Sequence, residues 1–288
     1  MKLSVVIPCF NAADTIAVQL EALFQQKWNQ PWEVIVADNG STDETLAIAK
    51  QYTQKLPNLC VVDASSLPGA AHARNVGAKV ARGEALVFCD ADDEVAPGWL
   101  AAMGEALSKY DFVGGRREHW KFNEPWILKT YGCEADNGVF FDHPYLPLAA
   151  GNNLGVKKWL HDAIGGFDET ILILDDVDYS WRIQQAGYKL HEASNALVHF
   201  RFRHTLVGIV RRAWDMGCQE PLLYKKHRPI GMPQLISWKT IIKTGIMFPF
   251  RFLLLQIRDK ASLAQCIMDL AWRAGQLQGC IKYRYLPV

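Results

Sequence analysis

Over the first two hundred residues, short apolar runs alternate with segments whose apolar residues recur at helical spacing. Leu3 to Ile7 is β-branched and apolar, a buried strand that Pro8 ends. Asn11 and Asp14 are candidate caps for a helix running to about Gln26, with Ile16, Leu20, Leu23 and Phe24 on one face. Trp32 to Ala37 is a second strand, the loop from Asp38 to Asp43 follows, and Ser41 or Thr42 would cap a helix from Glu44 to Gln51. Leu59 to Asp63 is a third strand. A loop containing Gly69 leads into an Ala-rich helix from about Ala71 to Ala81, and Ala85 to Cys89 is a fourth strand. Strands and helices alternating at this spacing predict an α/β fold with parallel pairing, right-handed crossovers and helices on both faces of the sheet.

Beyond residue 110 the pattern is less regular. Asp111 to Gly115 reads as a strand, Trp120 to Tyr131 as an aromatic, irregular stretch, and Asp175 to Gly187 as a helix opened by acidic residues. Ala196 to Val198 is strand-like. From Val207 the spacing becomes helical and continues into a very apolar stretch, Ile241 to Ile257, interrupted by Lys243, Pro249 and Arg251. A bilayer span needs about 20 uncharged residues, and this stretch has no such run. Apolar rings beside cations suit a segment lying in a membrane interface, whereas a helical hairpin packed on the domain or on a second copy, as in a homodimer, is the plainer reading.

Composition narrows the class. Half of the 288 residues are apolar and 21% are charged, which is globular composition. A net charge of +1 argues against a protein devoted to nucleic acid. Seven scattered cysteines without a C-x-x-C pair indicate neither a disulfide framework nor a zinc site. Met1 leads straight into a strand without a signal-peptide pattern, so a cytoplasmic protein is expected, peripheral at the cytoplasmic membrane face if the tail binds lipid.

Chemistry concentrates after the fourth strand. Asp90, Asp92 and Asp93 stand at its carboxyl end, where open α/β sheets gather ligands. Clustered carboxylates there suit a divalent cation that in turn holds phosphate, although Asp also simply ends strands in turns.

Six segments in order carry a resemblance: Val5-Val-Ile-Pro8-Cys-Phe10-Asn11, Val36-Ala-Asp38-Asn39-Gly-Ser-Thr-Asp43, Ala73-Arg74-Asn75-Val-Gly77, Asp90-Ala91-Asp92-Asp93, Gly165-Gly166-Phe167-Asp168-Glu169 and Asp175-Asp176-Val-Asp178. Together the chain resembles the inverting family 2 glycosyltransferases across residues 3 to 200. The resemblance implies the GT-A fold, a nucleotide-binding αβα sandwich with a mostly parallel sheet, over 1–205. Residues 1–110 would form the nucleotide-sugar half, 111–205 the acceptor side, and 206–288 a helical extension. It also implies a nucleoside diphosphate sugar as donor and a hydroxyl on a glycan or lipid-linked sugar as acceptor. Pro8, Phe10, Asn11, Asp38, Asn39, Arg74, Asp90 and Ala91 would bind the donor. Asn39 stands where the family often has Asp, so either Asp38 or Asn39 can be the base contact. Asp92 and Asp90, with His199 after a later strand, would hold Mg²⁺ or Mn²⁺, and Asp176 would be the general base.

Each of these residues has a plain structural reading beside the functional one. Asp38-Asn39-Gly40 makes an ordinary turn, Arg74 a solvated helix residue, His199 a partly buried structural histidine, and Asp175 to Asp178 a favourable helix N-terminus. A non-catalytic sugar-nucleotide-binding protein is the alternative from another class.

Overall fold

The computed structural model of the chain describes residues 2–133, 143–234, 237, 239, 242, 243, 246 and 257–285. By internal contacts the chain divides into two compact units. One holds residues 1–121 and 138–201, the other residues 122–137 and 202–288.

The first unit is a sheet flanked by helices. Its elements are β1 (Leu3–Cys9), α1 (Ile16–Phe24), β2 (Trp32–Asp38), α2 (Thr45–Gln51), β3 (Leu59–Asp63), α3 (Ala70–Val80), β4 (Ala85–Phe88) and β5 (Glu94–Val95). Then follow α4 (Trp99–Lys109) and β6 (Phe112–Glu118) and, after α5 of the second unit, β7 (Leu154–Lys157), α6 (Lys158–Ala163), α7 (Asp175–Gln185) and β8 (His191–His199). Eight described strands lie in the order β3-β2-β1-β4-β7-β6-β8-β5. The predicted parallel half is there: β1 pairs with β2 and β4, and β2 with β3, all parallel. Beyond β4 the sheet is mixed, because β7 runs antiparallel to both β4 and β6. Gly155 permits that insertion, since a Cβ there would stand 2.9 Å from Val113 Cγ2.

Alternation along β1 explains the two cores. Leu3, Val5 and Ile7 face one layer with Leu20, Leu23, Trp99 and Met103, while Val6 faces the other with Ile35, Leu86, Phe88, Leu160 and Phe167.

The second unit contains α5 (Pro125–Tyr131), α8 (Leu206–His227) and α9 (Lys260–Tyr283). The stretch read as irregular from Trp120 to Tyr131 ends in helix α5, with Pro at its start and Gly132 in the left-handed C-terminal position (φ 66°). Residues 122–137 cluster with the C-terminal helices: α5 packs on α9, and Lys129 pairs with Asp259 at 2.6 Å. Asp259 and Ser262 form a capping box at the start of α9. Small residues let α8 and α9 approach very closely, as a Cβ on Gly275 would lie 2.2 Å from the Trp214 carbonyl oxygen. Most of the apolar stretch 241–257, including Pro249 and Arg251, lies outside the described residues; Ile242, Lys243 and Ile246 within it are helical and exposed. No described helix is long and apolar enough to cross a membrane.

Candidate active site

The carboxyl ends of β1, β2 and β4 carry the segments singled out in the sequence. At the end of β1, Pro8 and Cys9 are buried in the strand and Phe10 emerges 60% exposed. Asn11 does not cap α1, which starts at Ile16 behind Thr15 without a side-chain cap. Instead Asn11 adopts a left-handed φ of 47° and accepts from the backbone N–H of Thr42 at 2.8 Å, while its own N–H donates to Ser41 Oγ. Its side chain thus ties the β1 loop to the β2 loop, and Ser41 and Thr42 serve that tie rather than α2.

Asp38 and Asn39 divide the work that the sequence left open between them. Asn39 is committed to the backbone: its Nδ2 donates to the carbonyls of Ala64 and Leu67, and its Oδ1 accepts from Gly69 N–H at 2.8 Å. Asp38 uses Oδ2 to accept from the N–H groups of Gly40 and Ser41, but its Oδ1 is buried with no partner among the described residues. A buried, unsatisfied carboxylate oxygen is costly unless a ligand supplies a donor.

At the β4 tip, ligand atoms of Asp90, Asp92 and Asp93 lie within 4.8 Å of one another. Ala91 between them is buried. Asp93 is fixed from two sides, accepting from Asn152 Nδ2 at 2.5 Å and from Arg201 N–H at 3.0 Å. Burial, then the charges of Asp92 and Asp90, push its carboxyl well above the usual carboxylate range. The same crowding reaches β1: burial, then Asp38, Asp43 and Asp92, push the Cys9 thiol up to about 12. Three oxygen donors in a field this negative fit a hard divalent cation. His199 stands at the end of β8, opposite Glu94 of β5. Its Nδ1 is 2.6 Å from Glu118 Oε2 on the neighbouring strand β6.

Arg74 is not a solvated helix residue. It is 4% exposed, with Nη2 2.8 Å from Asp90 Oδ1 and Nη1 2.6 Å from Asp175 Oδ2. Burial works against its charge, but Asp90, Asp175 and Asp176 together raise its pKa. Burial pushes Asp175 up to about 6, against the pull of Arg74 and with the help of Asp176 and Asp90. Asp175 and Asp176 open α7 behind Leu174, which sits at a left-handed φ of 71°. Such strain in a branched residue costs about 1–3 kcal/mol and gathers at functional sites. Asp176 is half-buried; Oδ2 accepts from Gly151 N–H at 2.9 Å and Oδ1 from Val177 N–H. Asp178 is fully buried and pairs with Arg182 at 2.7 Å, a structural ion pair.

Gly151 N–H meets Asp176 and the buried Asn152 amide meets Asp93, and a line runs from Ser66 Oγ through His72 to Glu169, with contacts of 2.8 and 3.0 Å. Asn75 binds Glu169 as well as the Phe167 backbone, so the Ala-Arg-Asn and Gly-Gly-Phe-Asp-Glu segments are joined side chain to backbone. Nothing in the spacing of 75 and 169 signals that contact.

The sequence profile described as Glycosyl transferase family 2 matches residues 4–167. The chain belongs to this family. An uncharacterised glycosyltransferase, YibD of Escherichia coli (strain K12), is 43% identical over 183 residues, which are 62% of this chain and 52% of YibD. The chain thus matches about half the length of that relative. The glycosyltransferase AglE of Haloferax volcanii is 29% identical over 238 residues, 82% of this chain and 73% of AglE. Among solved structures, the mannosyltransferase PcManGT from Pyrobaculum calidifontis, in complex with GDP-Man and Mn²⁺, superposes with a TM-score of 0.71 at 19% identity, covering 97% of this chain and 87% of that one. Staphylococcus aureus TarS with UDP-GlcNAc gives 0.56 at 17% identity, over 99% and 93%. The fold is the GT-A fold that the motifs imply.

Proposed function

We propose that the chain transfers a glycosyl group from a nucleoside diphosphate sugar to a hydroxyl acceptor by a single inverting displacement. The observation that carries this reading is that one buried guanidinium, Arg74, touches both acidic segments, Asp90 at the β4 tip and Asp175 beside Asp176. Carboxylates for donor and acceptor chemistry are thereby drawn to one place.

Asp38 Oδ1 is the acceptor for an N–H or O–H of the nucleoside, and Phe10 offers a ring face beside it. Asp92 and Asp90 would hold a divalent cation, Mg²⁺ or Mn²⁺, whose charge offsets that developing on the diphosphate leaving group. Asp93, already engaged by Asn152 and Arg201, supports that pair, and His199 with Glu118 borders it. Asp176 takes the proton of the attacking hydroxyl. Two of its lone-pair positions are used by backbone N–H groups, which aim the carboxylate and leave others for the acceptor. Inversion needs no enzyme nucleophile.

Asp176→Asn keeps the shape and removes the base, so turnover should fall by about 10²–10⁴-fold while donor affinity stays close to wild type. EDTA should abolish turnover, with Mn²⁺ or Mg²⁺ restoring it. Retention at the anomeric carbon, or an Asp176→Asn variant with near-normal turnover, overturns the reading. Donor binding without any release of nucleoside diphosphate would make the chain a sugar-nucleotide-binding protein instead.

A second part of the reading concerns the C-terminal unit and a lipid-linked acceptor. Val207, Trp214, Ile242, Ile246 and Ile281 are exposed there, interspersed with exposed Arg211, Arg212 and Lys243. Apolar side chains among cations favour the interface of an anionic membrane, each basic residue adding about 1 kcal/mol. The protein should co-sediment with anionic liposomes and lose most of that binding on Ile242→Glu with Ile246→Glu. Equal recovery of both proteins removes the idea.

A further inference from the structure

Arg74 is surrounded in a way that specifies its position rather than its charge alone. It stands on α3, buried, with its two terminal nitrogens committed in different directions: Nη2 to Asp90 and Nη1 to Asp175. Its Nε has no partner among the described residues, so those two ends decide where the plane lies. The Phe167 ring lies beneath it, 5.4 Å from Cζ. The remaining side is closed by Gly151, where a Cβ would stand 2.9 Å from Nη2 and 3.0 Å from Cζ. The N–H of that same glycine donates to Asp176 Oδ2 at 2.9 Å.

Asp176 is therefore tied to Arg74 twice. One tie runs through the chain, because its neighbour Asp175 holds Nη1. The other runs through Gly151, which packs on the guanidinium and holds the Asp176 carboxylate. Asp90 on the other arm belongs to the donor end of the sheet. We infer that Arg74 is a positioning residue that sets the geometry between the donor-side carboxylate Asp90 and the base Asp176, and that Gly151 lacks a side chain because the guanidinium occupies its space. The inference rests on the reading of Asp176 as base. A lysine cannot replace this strut: its single ammonium cannot span two carboxylates in the planar fork that arginine provides.

A misplacement of about 1 Å between reacting groups costs on the order of 10²-fold in rate. Two substitutions test the strut in different ways. Arg74→Lys keeps the charge and loses the fork. Gly151→Ala keeps every charged and hydrogen-bonding group and only displaces the guanidinium. With the donor, acceptor and Mn²⁺ that support wild-type turnover, both variants should lose kcat by about 10²-fold, with donor KM and calorimetric donor affinity changing far less. A general structural defect would instead lower the melting temperature and the active fraction without splitting kcat from KM.

Asp176→Asn is measured in parallel. If it retains turnover, the base assignment fails whatever the other two do. If it is inactive while Arg74→Lys and Gly151→Ala keep wild-type kcat and alter only donor affinity, the base stands and Arg74 is a donor contact. That result overturns the positioning role. Should Gly151→Ala not fold, Arg74→Lys alone decides, by the same split between kcat and donor affinity.

Discussion

The two units of this chain are held together by different means. The sheet unit buries long apolar rows on both faces of β1, β2 and β4, and its polar groups collect at the strands' carboxyl ends. The helical unit depends on absence of side chain. Gly217, Gly275 and Gly279 let α8 and α9 meet backbone to backbone, and the half-buried Glu220 accepts from Trp272 Nε1 at 2.8 Å and Gln276 Nε2 at 2.6 Å. The first unit tolerates a change of apolar volume by repacking, while the second has no room to give. Crowded carboxylates in the first are a reservoir of chemistry. The Glu220 carboxyl in the second, raised by burial, is a structural fixture.

The sharpest way to break that contrast is Gly275→Leu. With backbone rather than side chain in the way, the cost should exceed the ~3 kcal/mol at the top of the usual overpacking range. Thermal unfolding should show the helical transition lowered or lost, and an unchanged melting profile would mean that the close approach is not a stability determinant. Gly155 in the sheet offers a control, since its neighbours are the Val113 and Leu107 side chains, which can rotate.

Acid should discriminate within the sheet unit. Burial holds His161 at about 4, so between pH 6.5 and 4 the unfolded chain binds a proton that the folded one refuses. Stability is then lost as pH falls through that window, by about 3 kcal/mol in total. His119, also held at about 4 chiefly by burial, acts in the same direction. Asp175, at about 6, acts oppositely: between about pH 6 and 4 the folded state keeps a proton that the unfolded state releases, so acidification stabilises it. Asp175→Asn should remove that compensation and steepen the loss between pH 6 and 4 in urea titrations. Parallel profiles for the two proteins would refute it.

A smaller effect is expected from Asn39→Asp, which restores the residue often found at that position in the family. The backbone carbonyls of Ala64 and Leu67 would lose their donor and face a carboxylate, costing about 2 kcal/mol. Donor binding should weaken as the loop loosens. A fully stable variant with unaltered donor affinity would show that the amide is dispensable.

The parallel half and most of the site were legible because they are local in sequence. Short, continuous apolar runs mark β1 to β4, and acidic residues follow the fourth directly. What was hidden depends on contacts across the chain. β7 is four residues with no alternation to speak of, recognisable only beside β4 and β6. Arg74 looks like any helix arginine until Asp90 and Asp175 converge on it from 16 and 101 residues away. Asn11 and Ser41 read as caps because capping is the common local use of such residues, yet each found a partner in the other's loop. Nor does the sequence signal that Glu118 meets His199 across the β6–β8 pair.

The place of β7 in the sheet has a consequence for the order in which the protein is made. β1 to β4 are complete once residue 88 has emerged, but β4 then presents Ala85 to Phe88 as an open apolar edge. Its second neighbour, Leu154 to Lys157, is synthesised only some seventy residues later. Exposed edges of that kind invite pairing with other chains, and long-range pairing is slow to form. Gly151 and Asn152, which touch the Asp176 and Asp93 carboxylates, arrive on the same segment that covers the edge. A nascent chain therefore remains aggregation-prone for as long as its carboxylates lack these partners, and one docking event ends both conditions.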